Sequence, residues 1–192
     1  VGVPIDVRKA IDFINASVIS RVDYGKINGR PFFCACGVGF DALVSDHFAQ
    51  GGRRGMFSYI QKTLTDWVTY KPETYKIETP HFKKSFKAFV IACGNAAQYG
   101  NNAYIAPYAS MRDGLLTISI MAPFLPIEVP EVVAQLFTSN FVGSDHVTIL
   151  SSRWVKIKRK SAGPVHYDGE PCMMDAELLV EVIQIGRASC RE

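Results

Sequence analysis

No apolar run in this 192-residue chain approaches the ~20 residues that a helix needs to cross a bilayer, which excludes a helical membrane anchor within it. Cysteine is sparse and unpaired in pattern. The five residues Cys34, Cys36, Cys93, Cys172 and Cys190 include no CxxC, which argues against a disulfide framework or a thiolate zinc site and suits a reducing, cytoplasmic setting. The four histidines, His47, His81, His146 and His166, show no metal-ligand spacing. Neither a Gly-x-Ser-x-Gly elbow nor a Walker loop is present, so serine-hydrolase and P-loop chemistry are both excluded. Excess charge is lacking too: a net charge of +3 falls well short of a nucleic-acid-binding signature. The opening Val1-Gly2-Val3-Pro4 has neither an initiator Met nor a secretory leader and reads as the middle of a longer protein. The closing stretch from Gly186 to Glu192 departs from the apolar strand before it and reads as a vector-derived tail.

What remains is ordinary globular composition, 48% hydrophobic and 20% charged, enough to bury a core over about one domain. Asp6 caps a short helix with Val7, Ala10, Ile11 and Ile14 at helical spacing. Residues 19–27, the Asn28-Gly29 step and residues 31–36 predict a hairpin. Cys34 and Cys36, two apart on that strand, should face the same way as small core hydrophobes. Residues 37–49 leave the sheet as a short helix. A second helix carries Met56, Ile60, Leu64 and Trp67 on one face and ends at Pro72. Residues 73–79 and 86–93 pair around an 80–85 loop. Leu116, Ile118 and Ile120 alternate with Leu115, Thr117 and Ser119. A further helix runs from Pro126 or Pro130 to Phe137, with Val129, Val132, Val133 and Leu136 inward. Strands at 147–150, 153–160, 164–167 and 178–183 complete the chain. Regular strand–helix alternation is missing, so the prediction is a mainly β, antiparallel sandwich with two to four helices over residues 1–185.

Gly37-Val38-Gly39-Phe40-Asp41-Ala42 has the form of a loose dinucleotide fingerprint. The acidic residue expected ~20 residues later would fall inside the predicted 56–67 helix, so the context excludes it. Asp41 is then either a helix cap or a functional carboxylate. The loop from Asn95 to Asn102 suits close approach to a ligand and suits a solvated turn equally well. Lys156, Lys158 and Lys160 alternate with Val155 and Ile157, as in an edge strand protected by charge; a strip facing an anionic membrane is the sharper reading. Two Asp-Gly steps stand out. Asp113-Gly114 is either a plain turn or a carboxylate presented with nearby carbonyls to a hard cation. In Asp168-Gly169-Glu170-Pro171 a second carboxylate is held between Gly and Pro, which a turn alone does not require.

Taken in order, Asn28-Gly29 through Phe33, Gly37 through Ala42, Asn95 through Gly100, Ile105-Ala106-Pro107, Asp113 through Leu116 and Asp168 through Pro171 resemble the diacylglycerol kinase/sphingosine kinase superfamily. The likeness is to the C-terminal domain of the bacterial YegS-like lipid kinases and covers about residues 6–184. It implies the NAD kinase/diacylglycerol kinase-like fold and transfer of the ATP γ-phosphoryl group to a lipid hydroxyl. The family's nucleotide domain, with its Gly-Gly-Asp-Gly-Thr loop, is absent from this chain, so the fragment alone is expected to be inactive. By the same resemblance Asp113, with main-chain oxygens of Ser110 and Leu115, ligates a structural Mg²⁺. Glu170 is the general base and Asp41 meets the substrate head group. Asn101-Asn102 departs from the glycines common there in the family. The expected partners are a lipid at a membrane surface and, in a homodimer, a second copy; nucleic acid is not among them. An NAD kinase-like enzyme and a non-catalytic anionic-lipid-binding module are the alternatives.

Overall fold

A computed structural model describes residues 3–50, 67, 69–100, 103–138 and 145–190. Two six-stranded sheets, antiparallel throughout, are packed face to face. Sheet A runs β2 (Arg30–Phe32), β1 (Val18–Ile27), β14 (Glu177–Cys190), β11 (Trp154–Lys158), β4 (Glu73–Glu78), β5 (Lys83–Ala88). Sheet B runs β10 (Val147–Ser152), β9 (Leu116–Met121), β6 (Val90–Gly94), β3 (Ala35–Gly39), β12 (Gly163–Tyr167), β13 (Glu170–Met174). A small ribbon pairs β7 (Gln98–Gly100) with β8 (Ala103–Tyr104). The mainly β sandwich expected from the sequence is the fold observed.

Between the sheets lies the main core, built on Ile27, Tyr75, Ile91, Ile118, Val155 and Val180. Sheet B is buried on its other face as well. There Phe40, Phe89, Val90, Ile105, Met121 and Val132 form a second cluster. Phe40 stacks on Phe89 with ring centroids 4.6 Å apart, and Phe89 meets Phe124 edge-on at 5.0 Å. The second cluster is roofed by α2 (Phe40–Gln50) and α3 (Val129–Thr138). As a result β3, β6 and β9 are buried at every position. The polar residues of β9 are accommodated by bonds: the buried Ser119 hydroxyl donates to the Ile105 carbonyl at 2.6 Å.

Several local expectations are corrected. The predicted 31–36 strand is two strands in different sheets, because the chain crosses the sandwich between Phe32 and Ala35. Cys36 is therefore buried, whereas Cys34, in the crossing, is exposed. A second crossing at Phe89 makes β5, not β6, the partner of β4. Residues 37–39 remain in the sheet, and α2 begins at Phe40. The lysine strand β11 is no edge strand: it pairs with β14 on one side and β4 on the other. In α3 Val132 is buried but Val133 is exposed. Asp6 caps α1 (Val7–Asn15), accepting from the Lys9 amide at 3.0 Å, yet Val7, Ile11 and Ile14 face solvent. The backbone of β14 continues through Gly186–Cys190 against β1. Apart from Trp67, which packs on the second cluster, the predicted 56–67 helix lies outside the described residues.

Candidate functional site

The turn between β12 and β13 has Asp168 at φ 49° and Gly169 at φ 84°, the pair of positive angles of a type I′ hairpin. Its sequence demands little else locally, but the Asp168 side chain does more than turn. Its carboxylate accepts from three successive main-chain amides of the β2–β3 crossing: Phe33 at 2.6 Å, Cys34 at 2.7 Å and Ala35 at 3.1 Å. The Asp168 amide donates back to the Ala35 carbonyl at 2.8 Å. Bonds to an ionised acceptor are the strong kind, so the turn is firmly seated. Glu170 follows it, exposed and paired with Tyr167 in the ladder, and its side chain makes no hydrogen bond or ion pair with a described residue. The main chain that carries its carboxylate is seated by Asp168, and the carboxylate itself is unengaged.

The other turn, 110–115, is held by Asp113 and Gly114. Asp113 Oδ1 accepts from the Leu115 amide at 2.9 Å, an Asx-type closure, and Gly114 sits at φ 69°. A Cβ on Gly114 would meet only the end of the exposed Gln184 side chain, so glycine is needed here for its angle. The Gly114 amide donates 2.8 Å to Oδ2 of Asp23, a buried carboxylate that the sequence reading did not single out. Asp23 stands at the bulge in β1, where its amide is released from the ladder and donates to the Met111 carbonyl at 2.7 Å. Asp113 is exposed and its Oδ2 has no partner among the described residues. With the carbonyls of Ser110 and Leu115 the donor set would be all oxygen, which suits a hard cation such as Mg²⁺ or Ca²⁺. No cluster of three or more His, Cys, Asp or Glu side chains fit for a metal occurs among the described residues, so a cation here would depend on main-chain oxygens.

Asp41 is the centre of a third arrangement. Its Oδ1 accepts from the Ala42 amide at 2.8 Å, as a residue in a helix's first turn does. Its Oδ2 accepts from the Tyr99 hydroxyl at 2.5 Å and lies 2.8 Å from His166 Nε2. The Tyr99 and His166 rings meet edge to face at 5.5 Å. Asp41 and His166 lie over Gly37, where an added Cβ would come within 2.5 Å of the Asp41 carboxylate and 2.7 Å of His166 Nε2. Burial of His166 works against its charged form, but the charge and hydrogen bond of Asp41 outweigh it, and the imidazole's pKa is raised. Burial, with Asp41 beside it, pushes the Tyr99 phenol far up, so it remains a donor. Asp41 lies inside the first turn of α2 rather than at its cap, and it organises a polar cluster. A carboxylate has about four lone-pair positions, and three are taken.

No hydrogen bond or ion pair joins Asp41, Asp113 and Glu170 directly among the described residues. The structure adds Tyr99, His166, Asp23 and Asn95 to the candidate set. A buried histidine requires a partner, and that requirement was the available signal for His166. Asn95 is fully buried and sits at the end of β6 rather than in a solvated turn; Asn101 and Asn102 lie outside the described residues. Two of the three lysines in the strip face acidic residues. Lys158 Nζ is 2.7 Å from Glu177 Oε1, and Lys156 lies opposite Glu78 in the ladder with its Nζ 5.6 Å from the Trp154 ring centre. No helix among the described residues is long and apolar enough to cross a membrane.

Comparison with known proteins agrees with this architecture. A probable lipid kinase YegS-like of Chromohalobacter salexigens is 28% identical over 176 residues, covering 89% of this chain and 56% of that protein. A probable lipid kinase YegS of Salmonella arizonae is 26% identical over 195 residues, covering 99% and 62%. The chain therefore spans somewhat over half the length of these relatives. In fold it is similar to the crystal structure of a diacylglycerol kinase from Bacillus anthracis str. Sterne, with TM-score 0.69 and 16% identity over 97% of this chain and 59% of that one. Residues 34–183 match a single family model, described as the YegS C-terminal NAD kinase beta sandwich-like domain. That match takes in all of sheet B, α2, α3 and the two Asp-Gly turns, with β1 and β2 of sheet A outside it, and the chain belongs to this family.

Proposed function

We propose that this chain is the acceptor-side domain of an ATP-dependent lipid kinase. The observation that carries the reading is Glu170: an unengaged, exposed carboxylate on a turn that Asp168 pins through three main-chain bonds. An alkyl hydroxyl is a poor nucleophile near neutral pH, and a fixed carboxylate within hydrogen-bond reach is the usual remedy. Glu170 receives the hydroxyl proton as the oxygen attacks the γ-phosphorus; the new O–P bond forms as the bond to the β,γ-bridging oxygen breaks. Asp113, with carbonyls of Ser110 and Leu115, would hold Mg²⁺, whose charge would shape and stiffen that turn. Asp41, with one lone-pair position open, would meet the acceptor head group beside Tyr99 and His166. The ATP phosphates and adenine would be bound outside this chain, so the chain alone would not turn over. The acceptor is a diacylglycerol-type or sphingoid alcohol presented at a membrane surface.

Glu170→Gln in the full-length protein tests this. Turnover should fall by about 10²–10⁴-fold with ATP binding and the fold retained; unchanged turnover removes Glu170 from the base role. Labelled-phosphate transfer to diacylglycerol, a sphingoid base, phosphatidylglycerol and NAD, side by side, names the acceptor and decides against an NAD kinase-like activity if only lipids are labelled. The compensated lysines on β11 give the non-catalytic lipid-binding alternative no support.

A further inference from the structure

The two Asp-Gly turns lie on strands of one sheet, β9 and the β12–β13 hairpin, with β6 and β3 between them. They are nonetheless joined by an unbroken run of hydrogen bonds that passes through the other sheet. It begins at the turn before β9, where the Gly114 amide bonds Asp23 Oδ2 at 2.8 Å. The main-chain carbonyl of the same Asp23, on β1, accepts from Asn95 Nδ2 at 3.0 Å. The second Asn95 Nδ2 proton goes to the Phe33 carbonyl at 2.8 Å. The amides of Phe33, Cys34 and Ala35 then end on the Asp168 carboxylate. Asn95 and Ala96 add to the same crossing by donating their amides to the Cys34 carbonyl, each at 2.9 Å.

Asn95 is the only side chain in this run with two donors aimed in different directions, one at β1 of sheet A and one at the β2–β3 crossing. Its side chain is fully buried, so neither bond competes with solvent. The amide is not explained by packing. Its Oδ1 has no protein partner among the described residues, whereas its Nδ2 supplies donors to two carbonyls that an apolar residue of similar volume would leave unpaired. We propose that Asn95 is a positioning residue that couples the Asp113 turn to the Asp168–Glu170 turn, so that the two are set, and disturbed, together. The importance of the coupling for catalysis rests on the proposed roles of Glu170 and Asp113; the coupling itself rests only on these bonds.

Amide hydrogen exchange on this chain, which needs no activity, tests it. In Asp168→Ala the amides of Phe33, Cys34 and Ala35 should exchange faster, and so should Gly114, by about tenfold, while Ile157 in the centre of sheet A stays protected. If Asp168→Ala does not fold, Asp168→Asn, which keeps the shape and one acceptor oxygen, should give the same pattern at smaller amplitude. In an Asn95→Ala background the Asp168 substitution should no longer reach Gly114. Faster exchange at residues 33–35 with Gly114 unchanged would overturn the proposal. So would uniform acceleration that includes Ile157, because that is lost stability and not coupling. Retained turnover in Glu170→Gln would sink the catalytic reading and leave the coupling standing.

Discussion

Sheets A and B have equal strand numbers and the same antiparallel pairing, yet they solve opposite problems. β4 and β11 of sheet A alternate between buried and exposed positions, with one face on the core and the other on water. β3, β6 and β9 of sheet B are buried throughout. An antiparallel sheet with one wet face needs only alternation, whereas one covered on both sides must satisfy every polar group internally. Sheet A accordingly spends its outer face on Lys–Glu pairs, which do not need a fixed geometry. Sheet B meets its requirement with directed bonds, from Ser119 to Ile105 and from His166 and Tyr99 to Asp41. Asp168 and Asp41, at the covered sheet, are held by bonds rather than by solvent, whereas Glu170 on its edge strand is left exposed.

The contrast predicts unequal responses. Met121→Ala, on the covered outer face of sheet B, should cost about 2–5 kcal/mol of stability in urea denaturation. Leu179→Ala, on the open face of sheet A, should stay within about 0.5 kcal/mol; comparable losses would mean that the second cluster contributes little. A smaller effect is expected from pH. Because Asp41 raises the pKa of His166 in the fold, the contribution of this pair is fully present below the unfolded value of about 6.5. It is lost as pH rises through the higher folded value. Asp41 and Tyr99 contact the ring, and the Asp168 charge favours the same protonated form. The wild-type melting temperature should thus fall relative to His166→Gln as pH is raised from 6 to 8, and parallel curves would deny the coupling. Least of all, Lys158→Ala should leave the denaturation midpoint unchanged, since its partner Glu177 is also solvent-exposed. A clear drop would show that the open face is more than a solvated ladder.

Local chemistry was legible where one residue or one turn is enough. Asn28-Gly29 turns a hairpin with both residues at positive φ, Asp6 caps α1, and the two Asp-Gly steps are turns because glycine accepts the angles each needs. The ordered motifs led to the right family and the right sandwich. The crossings at residues 33–34 and at Phe89 were not legible, because alternation runs on unbroken when a strand leaves one sheet and enters the other. Nor was the exposure of Val133 or of the α1 apolar residues, since periodicity reports that a face exists and not what covers it.

The partners that make the site were out of reach for a simpler reason: distance along the chain. His166 is 125 residues from Asp41, Tyr99 is 58 from it, and Asn95 is 72 and 62 from the two carbonyls it bridges. From the residue order alone follow the β-rich class, the turns and which carboxylates are unusual, because those depend on φ/ψ preference and on spacing of a few residues. Which of those carboxylates is gripped and which is left open depends on groups that only the packing of two sheets brings within 3 Å. Asp168 is spent on three backbone amides and Glu170 is not, and that difference arises only once the β2–β3 crossing passes the end of the β12–β13 hairpin.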